Sequence, residues 1–405
     1  MSNIEAELQL TAGTTLDVND PRVRAIPVKT TPGSTIAFSN FYGQARDLPP
    51  TTWTGTTLTN TNTNIFTYSA SMKPYINYNG SQFNVFGAYE YLSSPYYTFG
   101  IVSADGITWT SGSNTNLYFG TLGQTYPTQS VTTPIYSSTS GRYYMYTAKF
   151  LTSSTVQVIV YYNTSPNSSN WLAAYTSGTG SSSGFSAPTC SIAQGNYILY
   201  FASSVYNTGI FGSSDGGSTW TISSTISNAT QCDVKYYNGT FYLLTTYNGT
   251  TGLGLTHNMY SSTNGTTWTI VSNVYTTTTN ITATGFDISS NGVFAASFND
   301  GYIRTSTDGI TWTTRTITGV STGTANSFLL KAICWAGPKY LLAACAYSTA
   351  TGIYLSRDVG TTWVKVDTMS VDGFATTTQT LTNPLGTVVA YHMSYNTVLK
   401  YSTYK

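Results

Sequence analysis

Short apolar and aromatic runs recur along this chain, set between stretches of Ser, Thr, Asn and Gly. Examples are Gly209-Ile210-Phe211, Gly352-Ile353-Tyr354-Leu355 and Val388-Val389-Ala390-Tyr391. Runs this short, rich in β-branched and aromatic residues and bounded by turn formers, predict strands. A polar phrase follows several of them. It reads Ser213-Ser214-Asp215-Gly216-Gly217-Ser218-Thr219-Trp220, and again Ser356-Arg357-Asp358-Val359-Gly360-Thr361-Thr362-Trp363. One residue shorter, it is Ser103-Ala104-Asp105-Gly106-Ile107-Thr108-Trp109 and Ser306-Thr307-Asp308-Gly309-Ile310-Thr311-Trp312. A weaker copy, read as Ser261 to Trp268, lacks the Asp. Asp accepts hydrogen bonds from backbone N–H groups ahead of it, Gly supplies positive φ, and Thr-Trp opens the next strand.

The phrase resembles the Asp box, S-x-D-x-G-x-T-W, of sialidase-like β-propellers. That resemblance implies that each box joins the third and fourth strands of a blade, on the face opposite a catalytic site, and that its role is structural. The box residues are then Asp105, Trp109, Asp215, Trp220, Trp268, Asp308, Trp312, Asp358 and Trp363. The last tryptophans are spaced by roughly 44–51 residues, the period of a repeat architecture. The gap from Trp109 to Trp220 is two periods and holds Trp171 behind a degenerate box. Six blades follow. At the carboxyl end, Thr397 to Ser402 reads as the strand before a box, but no tryptophan follows; Trp53 near the start ends a box that has no beginning. The expected fold is therefore all-β, a seven-bladed propeller of four-stranded blades over residues 49–405. Residues 50–58 complete the last blade, and Trp53 closes a ring without open edges.

Charged residues are 8% of the 405, with a net charge of +1, against about 25% in ordinary domains. Aromatics are 15%, with 34 tyrosines. There is no basic stripe for phosphate, which argues against a nucleic-acid partner. No apolar stretch is long enough for a membrane helix, and the start is unlike a signal peptide. Cys190, Cys232, Cys334 and Cys345 show neither a C-x-x-C pair nor a disulfide framework, and are expected as reduced core thiols, the first three near the start of first strands. His257 and His392 lack metal-ligand spacing; no metal and no cofactor is expected.

Residues 1–48 fall outside the period. Val23-Arg24-Ala25-Ile26 and Gly33-Ser34-Thr35-Ile36-Ala37-Phe38-Ser39-Asn40-Phe41-Tyr42-Gly43 resemble a short module of tailed-bacteriophage virion proteins. The resemblance implies a virion-anchoring segment (Arg24, Ile36, Phe38, Phe41, Tyr42), with other virion proteins as partners, a virion location and several copies per particle. The alternative is a plain extension packed on its own propeller.

Sialidase chemistry, as that resemblance implies it, needs three arginines, a Tyr–Glu pair and an Asp. The expected propeller holds one Glu, Glu90, and four arginines: Arg142, Arg304, Arg315 and Arg357, the last two at boxes. Carboxylates expected on the upper face are few: Asp233, Asp287, Asp300 and Asp372. The expectation is therefore not an enzyme. Upper-face loops repeat Tyr beside Asn, Ser or Thr: Tyr96, Tyr97, Tyr206, Asn207, Tyr247, Asn248, His257, Asn299, Asp300, Tyr347, His392 and Tyr395. Rigid aromatics with adaptable amides suit recognition of a host-surface polysaccharide, although Tyr-Asn-Gly is also ordinary hairpin chemistry. The leading expectation is a phage tail- or fibre-associated protein displaying a non-catalytic propeller that binds host glycan. The alternatives are a capsid, neck or tail decoration or connector protein, and a sialidase-type hydrolase.

Overall fold

A computed structural model describes residues 134–150, 155–165, 188–203, 207–227, 229–248, 255–277, 281–323 and 330–368, with shorter strand segments between 54 and 131, at 171–181 and from 373 to 403. The anchor residues Arg24, Ile36, Phe38, Phe41 and Tyr42, as well as Trp53, Asp105, Trp109, Tyr206, Asp372, His392 and Tyr395, lie outside the described residues.

The chain is an all-β propeller. Its described strands fall into antiparallel sheets, five of them four-stranded, and helix is limited among the described residues to one turn at Ser348–Ala350. The sheets at 75–116 and 130–181 hold five and six strands, because some rows are interrupted. Thr110–Ser111 and Thr115–Asn116 both pair with Ser94–Ser103, and Leu172–Thr176 and Gly180–Ser181 both pair with Thr155–Asn163. First strands stand beside first strands in the order Ile135–Ser137, Pro188–Gln194, Ala229–Tyr237, Ala283–Ile288, Leu330–Ala336, Gly373–Thr376 and Tyr75–Tyr78. Four of them carry a register shift near the same place, at Pro188/Cys190, Thr230/Cys232, Ala283/Gly285 and Leu330/Ala332.

The first and last described strands meet. Thr54–Thr57 pairs antiparallel with Val398–Thr403, Thr54 opposite Tyr401 and Thr57 opposite Val398, as the outer strand of a sheet completed by Thr387–Tyr391 and Gly373–Thr376.

Burial follows position in the sheet. Middle strands are covered on both faces: Phe294–Phe298 and Tyr340–Cys345 are buried throughout, as strands packed from both sides must be apolar on both. Outer strands such as Thr313–Arg315 and Val364–Asp367 are largely exposed. The core is accordingly a series of layers between neighbouring sheets. One layer joins Leu199, Phe201 and Ile222 to Val234, Phe241 and Leu243; another joins Leu244, Met259 and Val274 to Phe286, Phe294 and Phe298. Each such side chain contributes roughly 1.5–3 kcal/mol.

Carboxylates staple first strands together. Asp233 Oδ2 accepts from Phe286 N at 3.2 Å, and Asp287 Oδ2 from Trp335 N at 2.7 Å. Asp287 also faces Lys235 Nζ at 3.4 Å. Both carboxylates, expected on the upper face, are committed to a neighbouring sheet. Cys190, Cys232 and Cys334 lie on first strands. Cys334 and Cys345 are free thiols, and burial pushes both above their ordinary value.

Candidate functional site

The Ser–Asp turns mark one end of the sheets. In the first, Asp215 Oδ1 accepts from Ser213 Oγ (2.8 Å), Ser218 N (3.0 Å) and Thr219 N (2.8 Å), and Oδ2 accepts from Thr219 Oγ1 at 2.6 Å. Ser213 Oγ takes the Gly217 N–H at 2.9 Å. Asp308 and Asp358 repeat the scheme with Ser306 and Ser356. In two of these turns the hydrogen bonds hold the carboxyl at about 2: for Asp215 chiefly the bonds from Thr219, for Asp308 those from Thr311 and Ile310.

The weak copy is in a different register from the one expected. Ser262, not Ser261, opens it, and Asn264 stands in the Asp position: its Oδ1 accepts from Ser262 Oγ (3.1 Å), Thr266 N (3.0 Å) and Thr267 N (2.9 Å). Trp268 and Trp363 donate Nε1–H to the carbonyls of Gly265 and Gly360, and Trp312 donates to Ser272 Oγ on the neighbouring sheet. Trp220 is buried against Phe211, Tyr144 and Tyr200.

The opposite end carries the described polar side chains that these turns do not use. Ser262 ends the strand Leu255–Ser262, so His257, five residues back, lies about 17 Å from it. Tyr275 lies near the far end of Thr269–Thr277, and Arg304 near the far end of Ile303–Ser306. The turn at Asn299–Tyr302 joins Phe298 to Ile303. These elements meet in the seam between the 229–277 and 283–315 sheets.

Asp300 is 0% exposed and accepts from Tyr275 Oη at 2.9 Å and Tyr302 N at 3.1 Å. The Arg304 guanidinium lies 4.0 Å from the Tyr275 ring centroid, 5.0 Å from Tyr302 and 5.7 Å from Phe298. Aromatic faces hold a guanidinium well, because it is weakly hydrated and planar. Arg304 is 6% exposed, and its Nη1 is buried with no hydrogen-bond partner.

His257, 0% exposed, shares a 3.0 Å hydrogen bond between Nδ1 and Thr246 Oγ1 and packs on Tyr275 and Phe298. The Ile281 carbonyl acts on its protonation, yet no partner of hydrogen-bonding geometry reaches Nε2. Burial, with Arg304 adding to it, pulls the imidazole down to about 4, so it is neutral at pH 7. Burial and then the Asp300 bond raise the Tyr275 phenol.

Of the loop residues expected to bind, Asn299, Asp300 and His257 come together here, but as buried groups and not as exposed loop side chains. Asn299 Oδ1 caps Thr282 N at 2.9 Å. Tyr347 is exposed after the strand Tyr340–Cys345. Tyr96 and Tyr97 lie within the strand Ser94–Ser103, Asn207 opens Asn207–Ser213, and Tyr247 and Asn248 end Thr240–Asn248; these five were expected in loops. Sequence reasoning missed Tyr275, Tyr302 and Arg304 as partners. The available signal was the Asp300-Gly301-Tyr302 turn leading into Arg304.

No protein-family model and no curated protein matches this sequence. Similar solved structures are found at low identity. An α-L-arabinofuranosidase of Fusarium graminearum in complex with an iminosugar inhibitor is 12% identical, over 73% of this chain and 96% of its own, at a TM-score of 0.46. An ulvan lyase, from a family of polysaccharide lyases, is 11% identical over 84% and 92%, at 0.47. A family 117 glycoside hydrolase of Zobellia galactanivorans is 15% identical over 54% and 74%, at 0.36. The expectation of a non-catalytic phage tail, fibre, decoration or connector protein stands corrected to this extent: the similar solved structures are carbohydrate-active enzymes.

Proposed function

We propose that the chain is a carbohydrate-active propeller that cleaves a glycan at the sheet ends remote from the Ser–Asp turns, around Arg304, His257, Tyr275 and Asp300. One observation carries the reading: Arg304 Nη1 and His257 Nε2 are both buried, each on a side chain packed against Tyr275 and Phe298, and neither atom meets a partner in hydrogen-bonding geometry. A buried polar group left unpaired costs about 1–3 kcal/mol, a cost that a ligand with hydroxyl or carboxylate oxygens removes. Arg304 holds fixed positive charge where negative charge develops. Neutral His257 and the Tyr275–Asp300 pair are suited to moving protons. Tyr275 and Tyr302 are only half-buried and give a sugar its approach. The kinship of the Ser–Asp turns with the Asp box belongs to the same reading, since in such propellers the boxes stand away from the site.

The test is incubation of the folded protein with arabinan, galactan and uronate-containing polysaccharides, read for new reducing ends and for unsaturated sugar ends. Products are expected from at least one polymer, and Arg304→Ala should abolish them while the circular-dichroism spectrum stays unchanged. Folded wild-type protein that releases nothing from any polymer overturns the proposal. Unsaturated ends would assign elimination, saturated ends hydrolysis.

A further inference from the structure

Asn264 occupies a carboxylate's place in a turn built for a carboxylate, and it is followed by Gly265. We propose that this turn is a self-modifying site, in which Asn264 converts spontaneously to aspartate.

The chemistry is that of an amide beside an unhindered backbone nitrogen. Gly265 N, having lost its proton to solvent, attacks Asn264 Cγ. The new C–N bond closes a five-membered ring, and negative charge passes to Oδ1. That oxygen already accepts from Ser262 Oγ, Thr266 N and Thr267 N, at 2.9–3.1 Å. Fixed donors aimed where charge develops act as an oxyanion hole. Collapse breaks the Cγ–Nδ2 bond, and ammonia leaves with a proton from water. No oxidant or reductant is consumed. Closure costs the bond from Gly265 N to Ser262 Oγ at 2.9 Å, one neutral hydrogen bond. Asn264 is exposed and Gly265 buried, so water reaches the side-chain amide directly, and the Gly265 proton leaves when its bond to Ser262 Oγ opens.

The same donors bias the second step. Water opens the cyclic imide at either carbonyl: attack at Cγ gives aspartate, and attack at the main-chain carbonyl gives isoaspartate. The three donors polarise Cγ and leave the other carbonyl alone, so the turn directs opening toward aspartate. Unstructured peptides give mostly isoaspartate. The product is the group that Asp308 already provides in the equivalent turn, where Oδ1 takes Ser306 Oγ, Ile310 N and Thr311 N at 2.8 Å each. A carboxylate accepts such bonds more strongly than an amide does.

Two internal controls exist. Asn238-Gly239 is an exposed hairpin pair, and Asn291-Gly292 joins an exposed Asn to a buried Gly, as Asn264-Gly265 does; no side-chain hydrogen bond of either Asn is seen among the described residues. The experiment holds the folded full chain at mildly alkaline pH and follows the three sites by peptide mass spectrometry, with isoaspartyl methyltransferase labelling to separate the products. Asn264 is expected to convert several-fold faster than Asn238 and Asn291, with aspartate in excess. In denaturant the three rates should converge and isoaspartate should predominate everywhere. Conversion of Asn264 no faster than the controls in the folded chain, or isoaspartate as its main product there, overturns the proposal.

Discussion

Asp308 and Asn264 do the same work in two turns, one as a carboxylate and the other as an amide. Both present Oδ1 to a serine hydroxyl and two backbone N–H groups. What the turn requires is an acceptor at that point; the charge adds strength. Asp308→Asn should therefore lower the melting temperature only slightly, and Asp308→Ala markedly more, since alanine leaves the N–H groups of Ile310 and Thr311 without their acceptor. The carboxyl of Asp308 is held at about 2 against an ordinary 3.8. Its stabilisation is thus complete above the ordinary value and is lost as pH falls through about 2. The Asn variant should lack that acid-dependent loss. His257 titrates in another window. Its folded value of about 4 lies below the ordinary 6.5, so the unfolded chain binds the proton first. Stability should be full above pH 6.5 and fall as pH drops to about 4, by on the order of 3 kcal/mol. Urea unfolding at both ends of that range measures the fall, and His257→Phe should remove it.

At the scale of elements, neighbouring sheets are joined by buried groups that bind across the seam. Asp287→Ala would strip Trp335 N of its acceptor and Lys235 of its counter-charge in a buried site. A loss of about 3–5 kcal/mol is expected, read as a lower urea midpoint at unchanged slope. Glycines set the same close fit: a side chain at Gly217, at φ 92°, would collide with the Tyr144 ring of the preceding sheet. Tyr144 Oη donates to the carbonyl of Gly216 at 2.9 Å. This scale also separates what sequence discloses from what it hides. The Ser–Asp turns were legible because all their bonds close within a few residues. Asn264 was misplaced by one position because Ser261 and Ser262 are identical, and only the hydrogen bonds distinguish them. The seam around Arg304 was illegible because its partners, from Tyr275 to Asp300, come from two sheets, and a single chain pattern does not state which strand ends meet.

For the molecule as a whole, the recurrent phrase and the half-phrases near the two chain ends were enough to give a propeller whose first and last strands pair. They say nothing of what the seam around Arg304 does, because the repeat encodes the scaffold, and among the described residues that polar seam occurs once. Deletion of residues 1–58 would leave the outer edge of Val398–Thr403 open, with the N–H and C=O groups that face Thr54–Thr57 unpaired. Light scattering on heating should then show aggregation at a lower temperature than for a chain starting at residue 49. Equal behaviour of the two would mean that the pairing of Thr54–Thr57 with Val398–Thr403 contributes little.

That pairing also bears on how the protein is made. Thr54–Thr57 leaves the ribosome long before its partner strand, Val398–Thr403. Every sheet between can form on its own hairpins as it emerges, while this one waits for that partner. Contacts so distant in sequence form slowly, and the unfilled place invites strands from other nascent chains. Translation that stops before residue 398 would therefore yield an open-sided intermediate with most of its sheets built and its clasp missing, the form of this chain most in need of a chaperone.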